Sequence, residues 1–332
     1  MNTWKRYSPL RWHIWSTWRE QVHSLDSKAL IGGDNLKILI YGAGVIGSLY
    51  AVLFSKSEKT DVSVYARGKR LEELRKNGLR YFDKGTLNVA DVRIIDAVKD
   101  DDIYDYIFLT VRENQLYKAL EELRGNISPN IVTMVNSLDD YKRWEDICGK
   151  GRIIPAFPGA GGSIDEGILD AGLTPALIQP TTFGEISGRR TKRTSELSKL
   201  FRGSRVPYQM VSDMHLWQLC HLAMVVPIAD AYYESEDPEN AGADRRLMSK
   251  TAGRIKRNMK WLKIHEGKLS PKKFYMFTSV PQRLIAIGLA ITFKSEFGDR
   301  FMYRHSMKAP DEMRELHRQF YGYVKDRSKK AQ

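Results

Sequence analysis

Leu36-Lys37-Ile38-Leu39-Ile40-Tyr41-Gly42-Ala43-Gly44-Val45-Ile46-Gly47 is the stretch whose reading decides the fold. Its first six residues make a short apolar strand, and three glycines in the spacing G-x-G-x-x-G follow without a gap. Beyond them Ile46, Leu49, Tyr50, Leu53 and Phe54 recur at the spacing of one helix face. The glycine spacing alone says little, but between a strand and an amphipathic helix it reads as a dinucleotide-binding turn. Gly42 would permit the tight turn, Gly44 would let a pyrophosphate approach the backbone, and Gly47 would let helix and strand pack closely. Ala43, Val45 and Ile46 complete the turn, and the helix start offers N–H groups and the positive end of a dipole to phosphate. The competing reading is a glycine turn that merely joins strand to helix.

Residues 61–65 form the next strand. An NAD site usually places an acid at its end, about 20 residues past the glycines, to bind ribose hydroxyls. Here the chain reads Tyr65-Ala66-Arg67-Gly68-Lys69-Arg70. Arg67 can pair with a 2′-phosphate and lay its plane on adenine. Lys69 and Arg70 add positive charge, with a solvated basic loop as their alternative reading. The expected cofactor is therefore NADP(H).

Further strands are expected at residues 92–95, 106–111, 131–135, 176–178 and 181–183, with helices at 71–76 and 116–123. Strand alternating with helix predicts a parallel, doubly wound sheet. From about Met214 only helices are expected, at 215–233, 245–265, 280–293 and 311–325. The fold class is an α/β Rossmann-type doubly wound sheet followed by an all-helical C-terminal domain. Its divisions are an extension over 1–35, an NADP-binding domain over 36–212 and a helical substrate or dimerisation domain over 213–332. The glycines at 159, 161 and 162 read as a flexible loop, and the apolar runs at 222–229 and 284–293 as buried helix.

Among 332 residues, 53 Lys and Arg face 40 Asp and Glu, a formal charge of +13, which favours anionic partners. Cys148 and Cys220 lie far apart and fit no metal-ligand or CxxC spacing, which fits a reducing, cytoplasmic compartment. No metal site and no P-loop is expected. No apolar run reaches the roughly 20 residues of a transmembrane helix. The first 35 residues carry Trp4, Trp12, Trp15 and Trp18 and read as a poorly ordered extension, with an interfacial helix as the alternative. Residues 245–273 hold eleven Lys or Arg around an apolar stripe of Met248, Ala252, Ile255, Met259 and Leu262. Such a face either binds an anionic partner or is simply solvated; the second is expected, and no nucleic acid.

With these residues in view, the chain resembles the ketopantoate reductase family. KILIYGAGVIGSLYA and VSVYARGKRLEELRKNGLR are similar to its opening. Residues 107–112 resemble a strand ending in a Val-Lys pair beside the cofactor, which implies that role for Val111 and Arg112. Met134 to Leu138 resembles the family's Gln-Asn-Gly-Leu segment and implies that Asn136 sits at the nicotinamide and substrate. Phe183-Gly184-Glu185 resembles a Gly-Glu pair at the cofactor ribose, which implies a ribose contact for Glu185. The resemblance covers about residues 36–225. It implies hydride transfer from NADPH to a small anionic 2-oxo acid in a cleft between the two domains, and it allows a homodimer through the helical one.

The pattern breaks in the first helix of the second half. The family carries Trp-x-Lys-x-x-x-Asn there, the lysine protonating the carbonyl oxygen and stabilising the alkoxide, the asparagine holding substrate. This chain has Leu219 and Ala223 at those positions after Trp217. His215 and His221 are the replacement candidates for proton supply, each also readable as an ordinary histidine. Glu312, in Pro310-Asp311-Glu312-Met313, matches the family's late glutamate and is also readable as a helix-start acid. The expected function is an NADPH-dependent reductase of a 2-oxo acid or similar carbonyl. The alternative is an NADP-binding protein without ketopantoate turnover.

Overall fold

The computed structural model describes residues 35–330. Ile38, Leu39, Ile40 and Tyr41 at the end of β1 (Leu36–Tyr41) are all buried, so this strand has no wet face and sits inside a sheet covered on both sides. After it come α1 (Val45–Ser55), β2 (Thr60–Tyr65), α2 (Gly68–Asn77), β3 (Leu79–Asp83), β4 (Thr86–Ala90), β5 (Arg93–Ile95), β6 (Tyr106–Leu109) and α3 (Leu116–Glu122). β7 (Ile131–Met134), α4 (Tyr141–Cys148), β8 (Ile153–Phe157), β9 (Ala160–Asp165), β10 (Ile168–Leu173), β11 (Thr181–Phe183), α5 (Lys192–Gly203) and β12 (Tyr208–Met210) complete the strand-bearing half. The main sheet has the order β12-β11-β8-β7-β6-β1-β2-β5. β5, β2, β1, β6, β7 and β8 run parallel, and β11 turns antiparallel to β8. The order reverses between β1 and β6, and ligands of such sheets bind outside the strands' carboxyl ends at that switch.

A second sheet, β4-β3-β10-β9, covers α1 from the side away from the first. This explains why α1 is buried nearly all round, from Gly47 through Val52 and again at Phe54, rather than along one stripe. None of its four strands was expected from the sequence. The expected flexible loop at 159–162 opens β9, and its glycines serve close packing. A Cβ on Gly159 would stand 2.5 Å from the Gln179 carbonyl, and one on Gly162 (φ +151) 2.3 Å from the Asp170 carbonyl. The strand expected at 176–178 is a turn.

After Met210 there is only helix: α6 (Met214–Glu234), α7 (Arg245–His265), the single turn α8 (Met276–Ser279), α9 (Gln282–Phe293), the short α10 (Glu296–Gly298) and α11 (Arg304–Lys308), and α12 (Pro310–Lys330). The stripe on α7 is buried as expected. The run at 284–293 is not: only Ile285 and Phe293 of α9 are buried. The expected boundary at 213 is no break in packing. Met214 and Trp217 belong to the core beside β1 and β6, and the described residues form one compact unit. The 1–34 part of the expected extension lies outside the described residues.

Pro227 sits inside α6 and has no N–H for the carbonyl of Ala223 one turn earlier. Asn258 of α7 supplies the missing donor, its Nδ2 lying 3.2 Å from that oxygen. Asn258→Ala leaves a buried carbonyl unpaired, at a cost of about 1–3 kcal/mol. Urea unfolding should show this as a lower midpoint with an unchanged slope; an unaltered midpoint would mean the bond contributes nothing.

Candidate functional site

The glycine turn divides its three glycines by function. Gly42 has φ +118, and a Cβ there would meet the Thr110 carbonyl at 3.0 Å. A Cβ on Gly47 would lie 1.9 Å from the Gly42 carbonyl and 2.5 Å from Thr110 Oγ1. Gly44 has nothing within 4 Å. The turn is therefore closed on both flanks and open at its crest, where a phosphate would approach. Ala43 is buried, and Val45 and Ile46 open α1, whose Gly44 cap leaves the first-turn N–H groups without a side-chain acceptor. Thr110 locks the turn by donating from Oγ1 to the Gly42 carbonyl at 2.9 Å. The sequence reading passed over Thr110, although a hydroxyl residue at the end of an apolar strand was the visible signal.

The three basic residues after β2 part company. Arg67 stays at the cofactor edge, its guanidinium 5.8 Å from the Tyr65 ring centroid and 2.9 Å from Oε1 of Glu122 at the end of α3. The Tyr41 hydroxyl donates to the other Glu122 oxygen, and the Tyr41 and Tyr65 rings lie 4.5 Å apart. Lys69 is exposed. Arg70 turns back over the glycine turn: it donates to the Ala43 carbonyl at 3.1 Å and to the Gly167 carbonyl at 3.3 Å, and it pairs with Glu73. It pins the turn to the small sheet.

Val111 and Arg112 follow β6, with Val111 half-buried and Arg112 exposed. Asn136 follows β7 on the same carboxyl edge, and its Oδ1 is buried without a protein donor among the described residues. Beside it, Phe157 ends β8 and carries an aromatic stack from α6. Trp217 lies 5.2 Å and His221 4.4 Å from the Phe157 ring, and Trp217 and His221 are parallel at 5.1 Å. Trp217 Nε1 is a second buried polar atom with no hydrogen-bond partner among the described residues. Gln218, which the sequence reading did not single out, holds α6 to this edge. It accepts from the Tyr141 hydroxyl at 3.0 Å and donates to the Val135 carbonyl at 3.2 Å.

Leu219 and Ala223 are 1% and 0% exposed within the helical core. Those positions face packing rather than the cleft, so their apolar character suits where α6 puts them. His215 stands edge-on between Tyr141 and Tyr323, at 6.4 and 5.9 Å. Burial holds its imidazole below the ordinary range, against the pull of Asp213, Glu266 and Asp140.

The second half closes on this edge through α12. Gln319 accepts from Leu138 N at 3.0 Å and donates to Glu113 Oε1 at 3.1 Å. A cleft of about 620 Å³ opens there, lined by Glu113, Tyr117, Asp139 and Arg143 from the strand-bearing half and by Glu315 and Tyr323 from α12. Burial pushes the Glu113 carboxyl above its usual range; Gln319 opposes the shift, and Glu315, Asp139 and Glu312 add to it. Glu312 thus lies close enough to the cleft to act on it electrostatically. Glu113 was missed because an acid after a strand has no motif of its own.

Glu185 is a correction. Because β11 runs antiparallel to β8, the residue after it heads toward the amino ends of the parallel strands. There its carboxylate accepts from Arg193 Nε at 2.9 Å and Nη2 at 2.5 Å, and from the Thr191 hydroxyl. Arg193 in turn donates to the Ile153 carbonyl at the start of β8, at 3.2 Å. Although burial opposes it, these bonds hold the Glu185 carboxyl below its ordinary range. The residue is a buried clamp at the edge away from the glycine turn, which leaves it no ribose contact.

Residues 38–169 match the family model described as ketopantoate reductase PanE/ApbA. Over these residues the chain is similar to the ketopantoate reductase family. A 2-dehydropantoate 2-reductase of Mesorhizobium japonicum is 33% identical over 105 residues, which is 31% of this chain. The match spans about a third of that relative's length (32%). Among solved structures, 2-dehydropantoate 2-reductase from Geobacter metallireducens GS-15 aligns with a TM-score of 0.62 at 17% identity, over 86% of this chain and 98% of its own. D-Mandelate dehydrogenase in complex with NADH aligns with a TM-score of 0.65 at 14% identity, over 89% and 93%. At such identities these two share the fold, a mixed α/β sheet followed by a helical region. Among the described residues no group of His, Cys, Asp and Glu is placed to hold a metal, and no single helix is long and apolar enough to cross a membrane.

Proposed function

We propose that this chain is a nicotinamide-dependent reductase that prefers NADPH and transfers hydride to a small carbonyl compound such as a 2-oxo acid. The observation that carries the reading is the glycine turn, open over Gly44 and closed at Gly42 and Gly47, with an uncapped helix start behind it. The bound nicotinamide would supply the hydride; the rest falls to the protein. The first turn of α1 binds pyrophosphate, and Arg67 takes the 2′-phosphate. Asn136, with its free Oδ1, orients the reacting groups. Glu113 takes over the proton supply that Leu219 cannot give, since a carboxyl held above its usual range keeps its proton to higher pH. Arg143 in the same cleft, mostly exposed and 3.5 Å from Asp139, offers its remaining N–H groups to an anionic substrate.

Two variants test this. Asn136→Ala should leave NADPH affinity within about threefold and lower kcat by roughly 10- to 100-fold, as expected for loss of orientation at the reacting atoms. Glu113→Gln should lower kcat by about 100-fold or more and remove the limb of the pH profile that belongs to the proton source. Wild-type kcat in both would place the chemistry elsewhere.

A second reading rests on Glu122. Its carboxylate, 2.9 Å from Arg67, brings to the end of β2 the acid that the strand lacks, and an acid there suits the free ribose hydroxyls of NADH.

A further inference from the structure

The outer face of α9 is apolar and open. Leu284, Ile287 and Ile291, at successive turns, are 53%, 56% and 66% exposed, while Ile285 and Phe293 on the other side enter the core, where Phe293 stacks on Tyr232 at 4.6 Å. Arg283 and Lys294 stand exposed at the two ends of the stripe. Soluble proteins rarely leave such a ridge uncovered without a use for it.

The charge around it narrows the occupant. Between Arg245 and Lys294 thirteen Lys and Arg stand against one acid, Glu266, so this segment carries a charge close to the whole chain's +13. Only part of it is neutralised locally: Lys250 and Arg254 pair with Glu234, Arg254 also lies 3.8 Å from Asp230, and Lys268 lies 3.8 Å from Asp213. The N-terminal part of α9 runs beside this basic helix, Gln282 Nε2 donating to the Ser249 carbonyl at 2.8 Å.

We propose that the α7–α9 face binds an anionic lipid surface, with Leu284, Ile287 and Ile291 entering the headgroup boundary and the basic residues meeting the lipid phosphates and carboxylates. A second copy of the chain fits worse, because pairing like faces would bring two strongly basic segments together. A nucleic acid would use the charge and leave the three aliphatic side chains without a partner. α9 has 12 residues, against about 20 needed to cross a bilayer, and it bends by 120° from the segment Lys272–Ser279 before it, so it lies along the surface. This inference is independent of the reductase reading.

The test is flotation of the full chain with phosphatidylcholine vesicles, with and without phosphatidylserine. The expected result is binding only when phosphatidylserine is present, weakened by salt. Arg283→Glu with Lys294→Glu should weaken it at least about tenfold, since each basic residue near an anionic leaflet contributes about a factor of five. Ile287→Asp with Ile291→Asp should weaken it by a similar factor, with an unchanged thermal melt as the check on folding. Absence of vesicle binding overturns the proposal, and so does binding that both double variants keep, because the contact then lies elsewhere in the chain. Sedimentation showing a dimer that Ile287→Asp with Ile291→Asp dissociates would assign the stripe to a second copy. Binding to duplex DNA or RNA at the expense of vesicles, unaffected by the isoleucine changes, would assign the charge to nucleic acid.

Discussion

Arg67→Asp weakens NADPH binding by about 10- to 100-fold and leaves NADH binding within about threefold. The magnitude follows from the loss of a charge-assisted hydrogen bond, worth about 1.5–3 kcal/mol, where each 1.4 kcal/mol is a factor of ten. The discrimination follows from position: Arg67 lies at the end of β2, where NAD-binding folds place an acid for the ribose hydroxyls, and the new carboxylate would repel a 2′-phosphate. Glu122 complicates the arithmetic in a useful way. It holds Arg67 at 2.9 Å, so a 2′-phosphate must displace a carboxylate as well as gain a cation. Parallel titrations of both cofactors by quenching of protein fluorescence check this. Equal losses for NADPH and NADH would remove the 2′-phosphate from Arg67 and favour the reading in which Glu122 binds ribose.

Gly47→Val abolishes cofactor binding and destabilises the fold by about 3 kcal/mol or more. Even the first carbon of a side chain would lie 1.9 Å from the Gly42 carbonyl and 2.5 Å from Thr110 Oγ1. The carbonyl belongs to the backbone of the turn and cannot rotate away, so α1 has to separate from β1. Overpacking in a well-packed interior costs about 1–3 kcal/mol even where side chains can yield. Gly44→Ala is the control, because open space surrounds that position: stability should be near wild type, with the loss falling on cofactor affinity. Thermal melts with and without NADPH separate the two effects. A Gly47→Val protein as stable as wild type would mean that helix and strand do not need their close approach.

The part of this molecule written in its sequence is the part governed by local periodicity. β1, α1 and β2 could be placed from apolar spacing and three glycines, and α7 matches its expected span of 245–265 because a single buried stripe fixes it. The small second sheet was not legible. Its strands are short and partly wet, and its glycines at 159 and 162 have the composition of a loop, although their function is to let backbones touch. α9 misled in the opposite direction, since an apolar run reads as buried and local sequence cannot say that one face is left uncovered.

The site divides along the same line. The glycine turn, Arg67 and Asn136 lie at carboxyl ends of parallel strands; the strand-turn pattern predicts the first two, and the family resemblance points to Asn136. Glu185 failed because a strand's direction in the sheet is not a local property, and the reversal of β11 carries that residue to the other edge. Glu113 and Gln319, more than 200 residues apart in the chain, meet only because α12 folds back on the loop after β6. Leu219 and Ala223 seemed to remove the chemistry, yet α6 turns those positions into the core. The proton source is therefore to be sought on the facing loops.

Mixing the purified chain with NADPH and a panel of small 2-oxo acids, ketopantoate included, while following cofactor oxidation, tests the central claim most directly. Oxidation is expected with at least one member of the panel, faster with NADPH than with NADH, and slowed roughly 10- to 100-fold in Asn136→Ala. Tight NADPH binding with no oxidation across the panel would contradict it, and would leave a dinucleotide-binding protein that has kept the turn without the reaction.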